Sequence, residues 1–351
     1  MGLFSYSNEQ SSIFLNEDSL DPEWVPKLLP FRDNQQKRIA SCVKPLLEKR
    51  NGINVLVYGP SGVGKTCATK WVLRELEEEF EDVHQCHINC WQKNTTYKVA
   101  TEICAQLGYN FVQNKNTEDL MDIVKNIVNK KTAVFVFDEI DKAEDYDFLY
   151  TILNDVYKKT IILITNYKSW FDQLENRIKS RLLPDLLEFQ AYSVAETESI
   201  LDERSKFAFR PGTVEREAIK PLAQKAVELE DIRIGLHLLR EAGRIAEEKG
   251  TKVNKEAAEL AIKKIEQINL KKDVLLEDEQ LVLDLIKNNS GQKIGDLYKK
   301  YQERGGQGNY KTFQRRIEKL TKANFVTAEK QMGGTDGTTT FVTYGKKLTE
   351  Y

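Results

Sequence analysis

Gly59-Pro60-Ser61-Gly62-Val63-Gly64-Lys65-Thr66 carries all the fixed positions of the phosphate-loop pattern G-x-x-x-x-G-K-[ST]. The run before it, Ile53-Asn54-Val55-Leu56-Val57-Tyr58, is apolar and β-branched, as a buried parallel strand is. The run after it, from Cys67 to Phe80, is helix-forming, with apolar Trp71, Val72, Leu73 and Leu76. Strand, glycine loop and helix are the setting in which backbone N–H groups form an anion nest at a helix N-terminus. Gly62, Val63 and Gly64 supply that nest, Lys65 reaches the outer phosphates, and the Thr66 hydroxyl suits Mg²⁺. The expected ligands are ATP or ADP with Mg²⁺.

Downstream, Ala133-Val134-Phe135-Val136-Phe137-Asp138-Glu139 is an apolar strand ending in two carboxylates. A parallel strand delivers its C-terminal residues to the ligand edge of the sheet. Asp138 is therefore expected to hold Mg²⁺ through water, and Glu139 to orient or deprotonate an attacking water. Thr160 to Asn166 is another strand ending on a polar residue, and the Asn166 amide suits a γ-phosphate or that water. Val83–Asn89 reads as a strand, Leu187–Phe189 as a last one, and helices are expected at 95–107 and 119–128. The fold predicted is a doubly wound parallel α/β domain over 21–192, behind a flexible segment at 1–20. A helix opens at Phe31-Arg32-Asp33, with Asp33 as its candidate N-cap.

Strands disappear after Ser193. Helices at 194–207, 214–228, 232–249 and 254–269 make a helical lid domain over 193–270, and Lys271-Lys272-Asp273 opens a linker over 271–277. Residues 278–351 then read as helices at 278–289, 292–303 and 309–323, followed by strands at 325–330 and 338–344: a winged helix. Its third helix buries Phe313, Ile317 and Leu320 and offers Tyr310, Lys311, Thr312, Gln314 and Arg315 to DNA. This last unit holds thirteen Lys/Arg against nine Asp/Glu, so +4, on a remainder of −6. A basic module on an acidic body suits duplex DNA, although a charged helix face also suits a protein-docking domain.

Composition bounds the rest. The chain has 351 residues, 30% of them charged, and lacks an apolar run long enough for a membrane span or a secretory signal. Five cysteines without a C-x-x-C pair, and three histidines, argue against zinc and for reduced thiols.

The order Gly59–Thr66, Asp138-Glu139, Asn166, Asn176-Arg177-Ile178-Lys179-Ser180-Arg181 and Ile232-Arg233, with a lid and a winged helix, resembles the AAA+ replication initiators of the archaeal origin-recognition type. Ile13-Phe14, Val25-Pro26 and Pro30-Phe31-Arg32 resemble that family's opening, so the likeness runs over about 13–345. The resemblance implies that Asn166 is sensor 1, that Arg181 or else Arg177 serves a neighbouring subunit's nucleotide, and that Arg233 is the sensor 2 arginine. It also implies that Tyr192 and Arg204 contact the nucleotide. Glu230-Asp231 departs from the family, which commonly has glycine before the acidic residue. The implied function is ATP-dependent initiation at a replication origin in an archaeal-type cytoplasm, with ATP turning over slowly as a switch. Implied partners are duplex DNA, the replicative helicase and self-association or a paralogue. A clamp-loader-like remodeller and a nucleotide-gated transcription regulator are the rival readings.

Overall fold

The computed structural model describes residues 12–26, 29–272, 277–306, 308–322, 325–333 and 337–344. Five strands, β1 (Val55–Tyr58), β2 (Val83–Asn89), β3 (Thr132–Asp138), β4 (Lys159–Thr165) and β5 (Asp185–Glu188), form one parallel sheet in the order β2-β3-β4-β1-β5. Every residue of β3 and β4 is buried, as strands covered on both faces by helices must be. The covering helices are α1 (Asp33–Val43), α2 (Lys65–Glu79), α3 (Thr96–Gln106), α4 (Thr117–Val128), α5 (Asp147–Asp155), α6 (Ser169–Gln173) and α7 (Asn176–Leu182). Two apolar cores result. One face packs Leu56, Phe135, Phe137 and Leu163 under α3 to α5, and the other packs Val57, Val136 and Ile164 under α1 and α2.

The register decides which residues can meet. Tyr58 pairs with Thr165 and Asn89 with Asp138, so the chain leaves β1, β2, β3 and β4 along one sheet edge. Because β4 lies between β1 and β3, Asn166 emerges between the glycine loop and the acidic pair.

The lid consists of α8 (Val194–Ala208), α9 (Arg216–Glu228), α10 (Ile232–Glu248) and α11 (Lys255–Lys272). Ser193 and Glu196 close a capping box on α8, and Asp231 caps α10 by accepting from the Arg233 N–H. Two expectations need correction in this part of the chain. Of the segment at 1–20, residues 1–11 lie outside the described residues, but 12–20 are packed on the lid. Phe14 stacks on Phe209 with ring centres 4.7 Å apart, and Leu20 is fully buried. The closeness needs Gly243, where a Cβ would come 2.5 Å from the Phe14 ring. Polar composition concealed these few apolar anchors. Asp33 does not cap α1 but opens it, with Arg32 at the cap position. The Arg32 side chain is held elsewhere, and Phe31 turns the chain with φ 64°.

The chain divides into two compact units, Met1–Lys264 and Ile265–Tyr351. The dividing line falls within α11, which takes up residues 271 and 272 of the expected linker; 273–276 lie outside the described residues. The second unit comprises α12 (Glu277–Asn288), β6 (Gln292–Lys293), α13 (Ile294–Glu303), α14 (Tyr310–Lys322), β7 (Val326–Gly333) and β8 (Gly337–Tyr344). Its sheet is antiparallel in the order β6-β8-β7, so the expected hairpin gains a third short strand. The element order is that of a winged helix, and Tyr301, Phe313, Ile317 and Leu320 form its core. The hairpin turn at 334–336 and Gln307 lie outside the described residues. Among the described residues no helix is long and apolar enough to cross a membrane.

Candidate functional site

The edge where β1 to β4 end opens into a cleft of about 720 Å³ between the sheet and the lid, a volume suited to a small ligand. Its floor is the glycine loop. Gly64 precedes α2 with φ 89° and has no side chain to cap it, which leaves the first N–H groups of this helix, beside the cleft-lining Lys65 and Thr66, open to an anion. Lys65 is buried and donates to the carbonyls of Gly59 (2.7 Å) and Pro60 (2.6 Å) and to Asn166 Oδ1 (2.9 Å). Burial pushes the Lys65 ammonium down to about 8, against the pull of Asp138.

The Thr66 hydroxyl donates to Asp138 Oδ2 at 2.7 Å. A hydroxyl and a carboxylate alone are too few oxygens for a complete protein cage, and no cluster of three His, Cys, Asp or Glu able to hold a metal occurs among the described residues. That poverty fits Mg²⁺, which keeps waters and takes phosphate oxygens as ligands. Burial works against the Asp138 charge, but the nearby His87 imidazole and the Thr66 hydroxyl outweigh it and hold the carboxyl below its usual range. Glu139 is shifted the opposite way: burial, then the charges of Asp138 and Asp141, push it up. A carboxylate raised in this way is a better proton acceptor. Glu139 also sits in the left-handed region at φ 52°, a strained conformation for a side-chain-bearing residue.

Sequence reasoning missed two residues here. His87 reaches across from β2 until its Nε2 is 3.7 Å from Asp138 Oδ2, beyond hydrogen-bonding distance but close enough to act electrostatically. Alternation along β2 was the only available signal. Arg32 is 4% exposed. It donates through Nε to the Val63 carbonyl (3.0 Å) in the glycine loop and through Nη2 to the Gln190 carbonyl (2.7 Å), between β5 and the lid. Its guanidinium lies over the Tyr192 ring.

Tyr192 lines the cleft with one face covered by Arg32 and its hydroxyl against Gly64, where a Cβ would be 3.0 Å away; burial pushes its phenol up to about 12. Arg204 lines the same cleft from α8. Its Nη1 and Nη2 donate to the Ser19 carbonyl (2.7 Å) and the Trp24 carbonyl (3.2 Å), and it lies over the Trp24 ring. These bonds clasp the N-terminal segment while satisfying donors of a buried guanidinium. Arg233 lines the cleft from α10 and donates to Ser61 Oγ at 2.7 Å.

Arg177 and Arg181 are exposed on α7 and take no part in lining this cleft. Both lie over Tyr150. Arg177 is paired with Glu175 and Asp147, whereas Arg181, apart from that ring, meets the Asn154 amide oxygen and the Arg177 carbonyl and no carboxylate among the described residues. In the second unit, Tyr310, Lys311 and Arg315 are exposed and Thr312 and Gln314 half-buried on α14, with Phe313 and Ile317 turned inward. Asn309 Oδ1 accepts from the Thr312 N–H and hydroxyl, fixing the start of that helix.

Residues 49–170 match the AAA domain family, and residues 198–261 match the Cdc6 AAA+ ATPase-type lid domain. The ORC1-type DNA replication protein 1 of Sulfurisphaera tokodaii is 34% identical over 257 residues, 70% of this chain and 65% of that protein. The ORC1-type DNA replication protein 1 of Archaeoglobus fulgidus is 31% identical over 282 residues, 76% of this chain and 69% of that protein. Among solved structures, the ORC1 protein of Aeropyrum pernix in complex with DNA superposes with a TM-score of 0.73 at 26% identity, covering 95% of this chain and 94% of that one. With an AAA domain, a Cdc6-type lid and relatives of this similarity and coverage, the chain belongs to the ORC1-type DNA replication proteins.

Proposed function

We propose that this chain is an ATP-dependent replication initiator that binds duplex DNA at an origin and helps recruit the replicative helicase. The carrying observation is the convergence of Lys65, Thr66, Asp138, Glu139 and Asn166 on one sheet edge inside the cleft. In this reading the loop N–H groups and Lys65 hold the phosphates, while Thr66 and Asp138 hold Mg²⁺, which would neutralise phosphate charge when bound. Glu139 accepts a proton from water, Asn166 orients that water, and Arg233 senses the third phosphate. Arg181, free of carboxylate partners among the described residues, is the arginine offered to a neighbouring subunit, either a second copy or a paralogue. Hydrolysis is slow and acts as a switch.

Lys311 and Arg315 contact DNA from α14, with Tyr310, Thr312 and Gln314 beside them; their exposure above a buried apolar face supports this, as does the DNA complex of the Aeropyrum relative. A genome-wide occupancy map in the source organism tests the reading. Sharp peaks at replication start sites are expected. Peaks confined to promoters would favour a nucleotide-gated transcription regulator. Failure of the full chain to bind duplex DNA in a salt-dependent manner would favour a remodeller whose winged helix docks protein.

A further inference from the structure

Asp231 stands where the lid meets the glycine loop, and its carboxylate has two tasks. Oδ1 accepts from the Arg233 N–H at 2.9 Å, which caps α10. The same group also grips the Arg233 side chain: Nε is 2.9 and 3.0 Å from the two oxygens, and Nη2 is 2.5 Å from Oδ2. The carboxylate presses on the loop itself. A Cβ at Gly62 would lie 2.1 Å from Asp231 Oδ1, so glycine is required there for this approach as well as for its φ of 71°. Ahead of Asp231, Glu230 is held at φ 55°, the left-handed turn that aims the carboxylate inward. The Asp231 side chain is 17% exposed and that of Arg233 51%.

Capping requires only an acceptor, and asparagine caps as well as aspartate does. Gripping a guanidinium by two donors uses the negative charge. With Nε and Nη2 taken by Asp231 and Ser61, Arg233 retains only Nη1 for a new anion unless the pair opens. We propose that Asp231 is a positioning residue for Arg233, and that it competes with the terminal phosphate for the guanidinium and so sets the preference for ATP over ADP. This rests on the reading of Arg233 as the sensor of that phosphate. The competition weakens ATP more than ADP, because only ATP carries the third phosphate that the freed fork would bind.

The test is titration of the full-length chain with fluorescent ATP and ADP analogues, in the wild type, Asp231→Asn, Arg233→Ala and the double variant. Asp231→Asn is expected to raise the ATP-over-ADP affinity ratio about tenfold, the scale of one charge-assisted hydrogen bond. Its melting temperature should match wild type, since the cap is retained. The double variant should behave like Arg233→Ala, because Asp231 acts through that arginine. An unchanged or lowered ratio in Asp231→Asn, or the same rise with Arg233 removed, overturns the proposal and leaves Asp231 as a cap. If Arg233→Ala itself leaves the ratio untouched, the sensor reading falls and the proposal falls with it. Should Asp231→Asn not fold, Asp231→Ser also caps and carries the same expectations.

Discussion

The guanidinium carbon of Arg32 lies 3.8 Å from the centre of the Tyr192 ring. The same guanidinium holds the Val63 and Gln190 carbonyls, so one side chain joins the phosphate loop, the end of the sheet domain and the root of the lid. A residue far upstream of the loop thus fixes the loop's attitude towards the lid.

Arg32→Ala is expected to leave both carbonyls without their donor and Tyr192 without its cover. Destabilisation of about 3 kcal/mol should follow, the scale of breaking buried hydrogen bonds to a charged group. Arg50, exposed beside Glu48, serves as control, and its replacement by Ala should cost well under about 1 kcal/mol. Urea unfolding of both variants checks this; equal midpoints would refute the linking role.

Lys65→Ala is expected to abolish ATP binding. It removes a buried ammonium surrounded by the Gly59, Pro60 and Asn166 oxygens, which is aimed at the phosphates in the proposed reading. Calorimetry reads the outcome directly, and wild-type affinity in the variant would remove the cleft from consideration as a nucleotide site.

Glu139→Gln is expected to bind ATP normally and cease to hydrolyse it. The amide keeps the size but cannot accept the proton from water. Single-turnover phosphate release separates binding from chemistry. Undiminished release would move the base elsewhere.

Glu241 provides a pH test of the lid. Burial opposes its charge, but Lys264, at 2.6 Å, and Arg244, at 3.0 Å, outweigh it and hold the carboxyl below its usual range. A depressed folded value means stability present above the unfolded pKa of about 4.3 and lost as pH falls through the folded one. Glu241→Gln should therefore cost about 1–2 kcal/mol at pH 7. The gap from wild type should narrow as pH drops below about 4. Melting curves from pH 7 to 3 decide, and a gap constant with pH would show that charge plays no part.

Lys311→Ala should weaken binding to all duplex sequences and reduce the salt slope by about one; Arg315→Ala should cost about 1–3 kcal/mol and relax preference at one base. Neither residue belongs to the buried set of the second unit, so melting should scarcely move. Anisotropy across a salt series measures both. Wild-type binding by the double variant would make α14 something other than the DNA reader.

The centre of the sheet could be read from sequence because β3 and β4 are short apolar runs with polar residues at their C-terminal ends, and parallel topology sends those ends to one edge. Hence Asp138, Glu139 and Asn166 could be placed beside Lys65 and Thr66 without coordinates. Arg32, His87 and the N-terminal residues could not be placed in this way. Their partners are Val63, Asp138 and Phe209, far off in the chain, and no local pattern encodes such pairings. The Asp231–Arg233 grip left a trace, since Glu230 stands where glycine is usual in the family. The strain at that turn appears only in its dihedral angle.

The anchoring of Phe14 on Phe209 and of Ser19 on Arg204, 185 residues away, has a consequence during synthesis. At ribosomal speeds of about 5–20 residues per second, the first segment waits roughly 10–40 s for its lid to be made. Throughout that interval Phe14 and Leu20 have no native surface to cover them. The clasp can therefore close only once the whole sheet domain and α8 have been synthesised, so Phe14 and Leu20 are settled later than the sheet residues that follow them in the chain.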